Sequence, residues 1–121
     1  MTTASPFGLP PATLDKLNSV FAQHSAIDTV LIYGSRAKGN YRTGSDIDLT
    51  IKGSEISFAE FMQIENQIDD LMLPYTVDLS QYKQLINIEL IAHIDRVGVE
   101  IYAKGMESKH IIDEKLAQVK A

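Results

Sequence analysis

IDTVLIYGSRAKGNYRTGSDIDLTIKG, residues Ile27–Gly53, is the stretch whose reading decides the fold. Ile27 to Tyr33 is rich in β-branched and aromatic residues and breaks off at Gly34-Ser35, which predicts a buried strand running into a sharp turn. A short helical turn is expected from Ser35 to about Lys38. Asn40 to Ser45 is turn chemistry, and Asp46 to Ile51 then alternates polar with apolar throughout. That alternation sets Ile47, Leu49 and Ile51 on one face of a second strand and Asp46, Asp48 and Thr50 on the other. The two carboxylates therefore share a face. Like charges held this close repel, so the pair calls for a compensating cation. An all-oxygen donor set without histidine or cysteine favours Mg²⁺, with Mn²⁺ as the alternative, over zinc.

Working outward towards the C-terminus, Gly53 closes the second strand and Ser54 or Ser57 can cap a helix. Phe58, Phe61, Ile64, Ile68, Leu71 and Met72 recur there at helical spacing until Pro74 stops the run. Tyr75 to Leu79 is read as a strand, and the helical crossover requires it to run parallel to its predecessor if the two share a sheet. Asp78 is the polar position of this otherwise apolar segment, where a parallel neighbour could bring it beside Asp46 and Asp48. A third helix is expected from about Gln84 to Arg96, with apolar residues on two sides. Val97 to Ala103 reads as a closing edge strand and Glu107 to Val119 as a terminal helix. Towards the N-terminus, a helix beginning at Ala12 or Thr13 carries Leu14, Leu17, Val20 and Phe21. It follows an irregular arm, residues 1–12, marked by Pro6, Gly8, Pro10 and Pro11. The expected fold class is α/β of the α+β type: a small mixed sheet with helices packed on one face and the acidic site on the other.

The 121 residues allow a single domain, 1–121, and the 45% apolar and 22% charged shares are those of an ordinary globular chain. A formal net charge of −5 argues against non-specific binding of long nucleic acid, which is normally met by a basic stripe. The chain has no cysteine, which excludes disulfides, thiolate metal sites and cysteine nucleophiles. Met1 to Thr13 lacks both the basic residues and the apolar run of a secretory signal, and no segment approaches the ~20 apolar residues of a membrane span. A cytoplasmic location is the expectation by elimination. His24, His93 and His110 are too dispersed for a zinc site and are read as surface residues.

Gly34 lets backbone approach a phosphate, Ser35 adds a hydroxyl, and Arg36 and Lys38 lie close enough to contribute positive charge. The glycine spacing of Gly34-Ser-Arg-Ala-Lys-Gly39 is also that of a P-loop. However, Asn40-Tyr41 replaces the required Lys-Ser/Thr pair, so that reading falls. A phosphate cradle beside a metal-binding acid cluster suits in-line phosphoryl or nucleotidyl transfer.

Gly34-Ser35, ten intervening residues and Asp46-Ile47-Asp48 together resemble the signature of the DNA polymerase β nucleotidyltransferase superfamily, with Asp78 matching its third acid. The length and the wording Gly-Ser-Arg-Ala-Lys-Gly resemble its smallest branch, the minimal nucleotidyltransferases (MNT) encoded beside HEPN-domain proteins. The resemblance implies a polymerase β-like fold in which Asp46, Asp48 and Asp78 are the catalytic acids. It further implies that they hold two Mg²⁺ ions, with Asp78 helping to activate the acceptor hydroxyl, and that Gly34, Ser35 and Arg36 bind the nucleotide. For this branch the implied donor is ATP and the implied reaction is AMP transfer to a HEPN-domain partner protein with release of pyrophosphate, as the antitoxin of a toxin–antitoxin pair. Self-association is a further candidate. Two rival readings are a non-catalytic antitoxin-like binding module and nucleotidyl transfer to a small molecule such as an aminoglycoside.

Overall fold

In the computed structural model, which describes residues 6–105, the opening stretch folds as two neighbouring strands, β1 (Ile27–Tyr33) and β2 (Ile47–Gly53). They pair antiparallel from Ile27 opposite Gly53 to Tyr33 opposite Asp48, with an irregularity between Ile27 and Thr29. Between them lie the short helix α2 (Gly34–Lys38) and the 40–46 loop. Beyond β2 comes helix α3 (Phe58–Asp69), which crosses to strand β3 (Val77–Gln81). β3 runs parallel to β2, as the crossover requires, and pairs Ile47 with Val77, Asp48 with Asp78 and Thr50 with Ser80. Strand β4 (Val99–Ala103) returns antiparallel along the other side of β1, giving the order β3-β2-β1-β4. The fold is a mixed four-stranded sheet of the α+β class, as the sequence leads one to expect.

The alternation along β1 and β2 divides the sheet into two chemically different faces. Val30, Ile32, Ile47, Leu49 and Ile51 point into one core. Helix α1 (Pro11–Phe21) adds Leu17, Val20 and Phe21 to it, and α3 adds Ile64 and Ile68. Leu9 is fully buried in the same core, so the described part of the expected arm is packed against the body. Pro11 opens α1 earlier than expected, since proline costs nothing where the first N–H groups have no helical partner. Among the two serines proposed as caps, Ser57 takes the role and accepts the Glu60 N–H at 3.1 Å.

Two helix boundaries differ from the periodicity. α3 ends at Asp69 because the chain must leave before Pro74, and Met72 does so at φ 56° with its side chain 85% exposed. The third long helix, α4 (Ile88–Val97), starts later than Gln84: Asn87 caps it by accepting the Leu90 N–H at 3.0 Å. Gln84 instead closes a 3₁₀ turn, Tyr82–Gln84. Ile86 and Ile88 are consequently exposed, at 91% and 80%.

α1 and α3 occupy the core face, whereas α4 adjoins the opposite one, where only the acidic site was expected. Its His93 reaches Gly34, and Tyr82 O–H donates to Asp95 at 2.6 Å while its ring carries the Lys52 ammonium 4.4 Å from the centroid. Among the described residues no helix is long and apolar enough to cross a membrane. The expected helix at Glu107–Val119 lies outside the described residues.

Candidate active site

The site is assembled where β1 ends and β2 begins. Gly34 follows the buried Tyr33 at φ 76°, in the left-handed region that glycine enters without a Cβ penalty. Space imposes a second requirement there, since a Cβ on Gly34 would overlap the Asp48 Oδ2 atom. The Asp48 carboxylate thus lies directly against the turn that carries Gly34-Ser35, and only the absence of a side chain lets the two approach. The Gly34 N–H donates to His93 Nε2 at 3.1 Å.

On β2 and β3 the parallel register sets Asp48 and Asp78 opposite one another. Asp48 is half-buried, while Asp78 and Asp46 are exposed. Burial first, and then the negative charges of Asp78 and Asp46, hold the Asp48 carboxyl above its ordinary value. Burial also pushes the Tyr33 phenol up, with Asp48 and Asp78 adding to it. One layer further along, Ser80 Oγ donates to Thr50 Oγ1 at 2.9 Å, pinning β3 to β2 beside the acid pair. Among the described residues no three His, Cys, Asp or Glu side chains converge into a ready-made metal centre. Nevertheless, the donor set fits a hard divalent cation: the carboxylates offer only oxygen, and burial together with the neighbouring charges of Asp78 and Asp46 raises Asp48 in a way that a bound cation would oppose.

Arg36, expected at the nucleotide, commits its guanidinium to backbone carbonyls of the protein. Its side chain is buried, at 3% exposure, and its guanidinium donates from Nε and Nη2 to the Ser45 carbonyl at 3.1 and 2.9 Å. Nη1 donates to the Phe7 carbonyl at 2.9 Å, and the rings of Tyr41 and Tyr75 flank the group with centroids at 5.3 and 5.1 Å. Arg36 therefore ties three segments together: α2, the N-terminal turn, and the loop entering β2. That loop is closed on itself by reciprocal bonds, Arg42 N–H to Ser45 Oγ at 2.8 Å and Ser45 N–H to the Arg42 carbonyl at 3.0 Å. The gap between Ser35 and Asp46 thereby acquires a physical meaning. It is the length of chain needed to finish α2, turn, dock on Arg36 and enter β2.

His24 and His93 are not the surface residues that the sequence suggests. His24 is buried between α1 and α3, with Nδ1 2.9 Å from Glu60 Oε2 and Nε2 2.7 Å from Gln67 Oε1. His93 is half-buried at the site, its ring edge-on to Tyr33 with centroids 6.1 Å apart. His110 lies outside the described residues. Nothing in the local pattern around His93 announces its contact with Gly34.

A glycine turn set against strand-borne acids on a mixed sheet suits nucleotidyl transfer, and comparison with known proteins identifies the family. The family model described as "Polymerase beta, Nucleotidyltransferase" matches residues 15–107, and the chain belongs to that family. Among curated proteins none matches the chain. Several solved structures of the same fold come from toxin–antitoxin complexes. A chain of a toxin–antitoxin crystallised with AMP-PNP is 13% identical, with a TM-score of 0.61 over 93% of this chain and 88% of that one. A chain of the MntA–HepT toxin–antitoxin is 10% identical, with a TM-score of 0.59 over 92% and 87%. A third, from the tri-AMPylated HEPN toxin of Shewanella oneidensis in complex with its MNT antitoxin, is 10% identical with a TM-score of 0.58 over 90% and 85%.

Proposed function

We propose that this domain transfers AMP from ATP to a hydroxyl group of a partner protein of the HEPN class, with pyrophosphate as the leaving group. One observation carries the reading: Gly34, Asp48 and Asp78, far apart in sequence, meet at one end of the sheet with the glycine in contact with the first carboxylate and the second in register with it. The solved neighbours support the choice of nucleotide and acceptor, since one was crystallised with AMP-PNP and another contains an AMPylated HEPN toxin.

In this reading the Gly34-Ser35 turn receives the triphosphate, its backbone able to approach because Gly34 has no side chain. Asp46, Asp48 and Asp78 would hold Mg²⁺, which when bound supplies positive charge against the triphosphate and the developing charge of the leaving group. Asp78, the exposed acid at the end of the pair, receives the proton of the acceptor hydroxyl. The hydroxyl oxygen forms a bond to the α-phosphorus as the bond from that phosphorus to the bridging oxygen breaks, and pyrophosphate carries away the electron pair. Arg36 serves this site by fixing the loop that delivers Asp46.

Incubation with Mg²⁺, ATP labelled in the α-phosphate and a HEPN-domain protein encoded beside this chain should label that protein. Asp48→Ala should abolish labelling, and equal labelling by the variant would overturn the proposal. The exposed Phe58, Ile86 and Ile88 favour a second reading, a binding module that neutralises its partner by occlusion. Full neutralisation by the Asp46→Ala/Asp48→Ala double variant would select it.

A further inference from the structure

We infer that His93 is a positioning residue of the phosphate cradle, holding the Gly34 peptide through its Nε2 atom so that the Ser35 N–H and hydroxyl face the nucleotide. The inference rests on the nucleotidyltransferase reading. Gly34 is the weakest point of the cradle in one respect: the feature that admits it beneath Asp48, an unsubstituted α-carbon, also leaves its backbone the most conformations to escape into. A turn made of such a residue needs an external constraint if the next N–H group is to keep its direction. The 3.1 Å bond from Gly34 N–H to His93 Nε2 is that constraint.

His93 is well placed to impose it. Its ring packs edge-on against Tyr33, the residue that precedes the turn. Its helix is anchored to the sheet in the turn that follows it. Ile94 is buried, the Gly98 N–H closes on the Ile94 carbonyl at 2.7 Å, and a Cβ at Gly98 would meet Leu31 at 3.4 Å, so α4 ends in close contact with β1. Asp95 accepts the Tyr82 hydroxyl, and Tyr82 in turn stacks on Lys52 of β2. Acceptance at Nε2 requires the lone pair there, which puts the ring proton on Nδ1. The division of labour follows. A phosphate oxygen is an acceptor like Nε2, so the Gly34 N–H committed to His93 is withheld from the ligand, and the donors left to the triphosphate begin at Ser35.

Two variants separate the acceptor from the ring. His93→Phe keeps an aromatic edge for Tyr33 and removes the acceptor, whereas His93→Gln supplies an amide oxygen at comparable reach and removes the ring. Binding of Mg²⁺–AMP-PNP to the full chain, followed by calorimetry, is the first readout. Loss of one net hydrogen bond predicts about fivefold weaker binding by His93→Phe, with His93→Gln within about twofold of the parent. The KM for ATP should rise by a similar factor in His93→Phe while kcat at saturating ATP stays within about twofold, the pattern of lost ground-state binding. Equal binding by the parent and His93→Phe would overturn the inference alone, as would a loss in His93→Gln as large as in His93→Phe. If His93→Phe does not fold, His93→Leu, which also lacks an acceptor, takes its place in the comparison with His93→Gln, and parent-like binding by His93→Leu would overturn the inference. Failure of the parent chain to bind AMP-PNP would sink the nucleotidyltransferase reading and this inference with it.

Discussion

Alanine at position 34 should disable the site through a collision whose cost can be separated from backbone strain. Two terms act on Gly34→Ala. The first is the left-handed backbone, φ 76°, which costs an L-residue about 1–2 kcal/mol. The second is the new methyl group itself, which meets Asp48 Oδ2 and also comes within 3.2 Å of Cγ and 3.5 Å of Cβ. Rotating the carboxylate alone does not clear both Oδ2 and Cγ, so the whole side chain must withdraw, by a distance on the order of 1 Å. Gly39 provides the control, because its φ is 90° yet an added Cβ would find nothing within 4 Å. Backbone strain alone should therefore lower Tm by roughly 5–15 °C in both variants, from about 4–8 °C per kcal/mol for a domain of this size, and the collision should add to the loss in Gly34→Ala. Only Gly34→Ala should also lose activity, by about a hundredfold, the penalty typical of a misplacement on that scale at a reacting centre. The assay is the rate of AMP transfer to the partner at saturating ATP, measured well below the lower Tm. Gly34→Ala within tenfold of the parent would refute the reasoning, and so would an equal loss of activity in Gly39→Ala.

Three further outcomes follow from the same geometry. Asp48 is held above its ordinary pKa by burial and by Asp78 and Asp46, so the folded state binds its proton more readily than the unfolded chain does, and metal-free protein should gain stability from this group as pH falls from neutral through the raised pKa. Asp48→Asn in chelator should accordingly raise Tm at pH 7, with the gain shrinking towards pH 4, and abolish transfer; a lower Tm at pH 7 would contradict the assigned repulsion. Arg36→Lys should destabilise by about 2–4 kcal/mol in a denaturant titration, because an ammonium cannot serve the Ser45 and Phe7 carbonyls together or lie between two rings. Near-parental stability with weakened AMP-PNP binding would instead return Arg36 to the nucleotide. His24→Ala, which strips Glu60 and Gln67 of a shared buried partner, should cost about 1–3 kcal/mol yet leave the transfer rate per folded molecule unchanged, since α1 and α3 lie on the core face.

How much of this was legible in the sequence depends on how local each determinant is. The period of two along Asp46–Ile51 reports a face directly, so the shared orientation of Asp46 and Asp48 could be read without coordinates, and the glycine that ends β1 was legible because a turn demands it. Asp78 was one inference further away, since it needed the crossover to run parallel and the register to fall on Asp48, and β3 satisfies both. Helix ends were read less well. Apolar spacing continues through Leu71-Met72 and through Leu85-Ile86, while the caps at Asn87 and the turn before Pro74 decide where helical hydrogen bonding stops.

Arg36 and His93 show the limit most clearly, because each owes its role to a partner that only the tertiary fold delivers. Arg36 sits in a motif beside a phosphate cradle, where positive charge invites a ligand reading. Its carbonyl partners lie in a loop nine residues on and in a turn before α1, and a guanidinium so occupied is a brace. His93 has the opposite history: an isolated histidine on an amphipathic helix carries no signal, and its meaning comes wholly from Gly34, fifty-nine positions earlier. The acids that define a reaction can be spelled by a strand's own alternation, whereas the groups that hold its geometry are recruited from wherever the fold passes nearby. In this domain the loop before Asp46 is set by α2 and the turn at Gly34 is held from α4. Sequence motifs here name what reacts, and packing determines whether it stands in the right place.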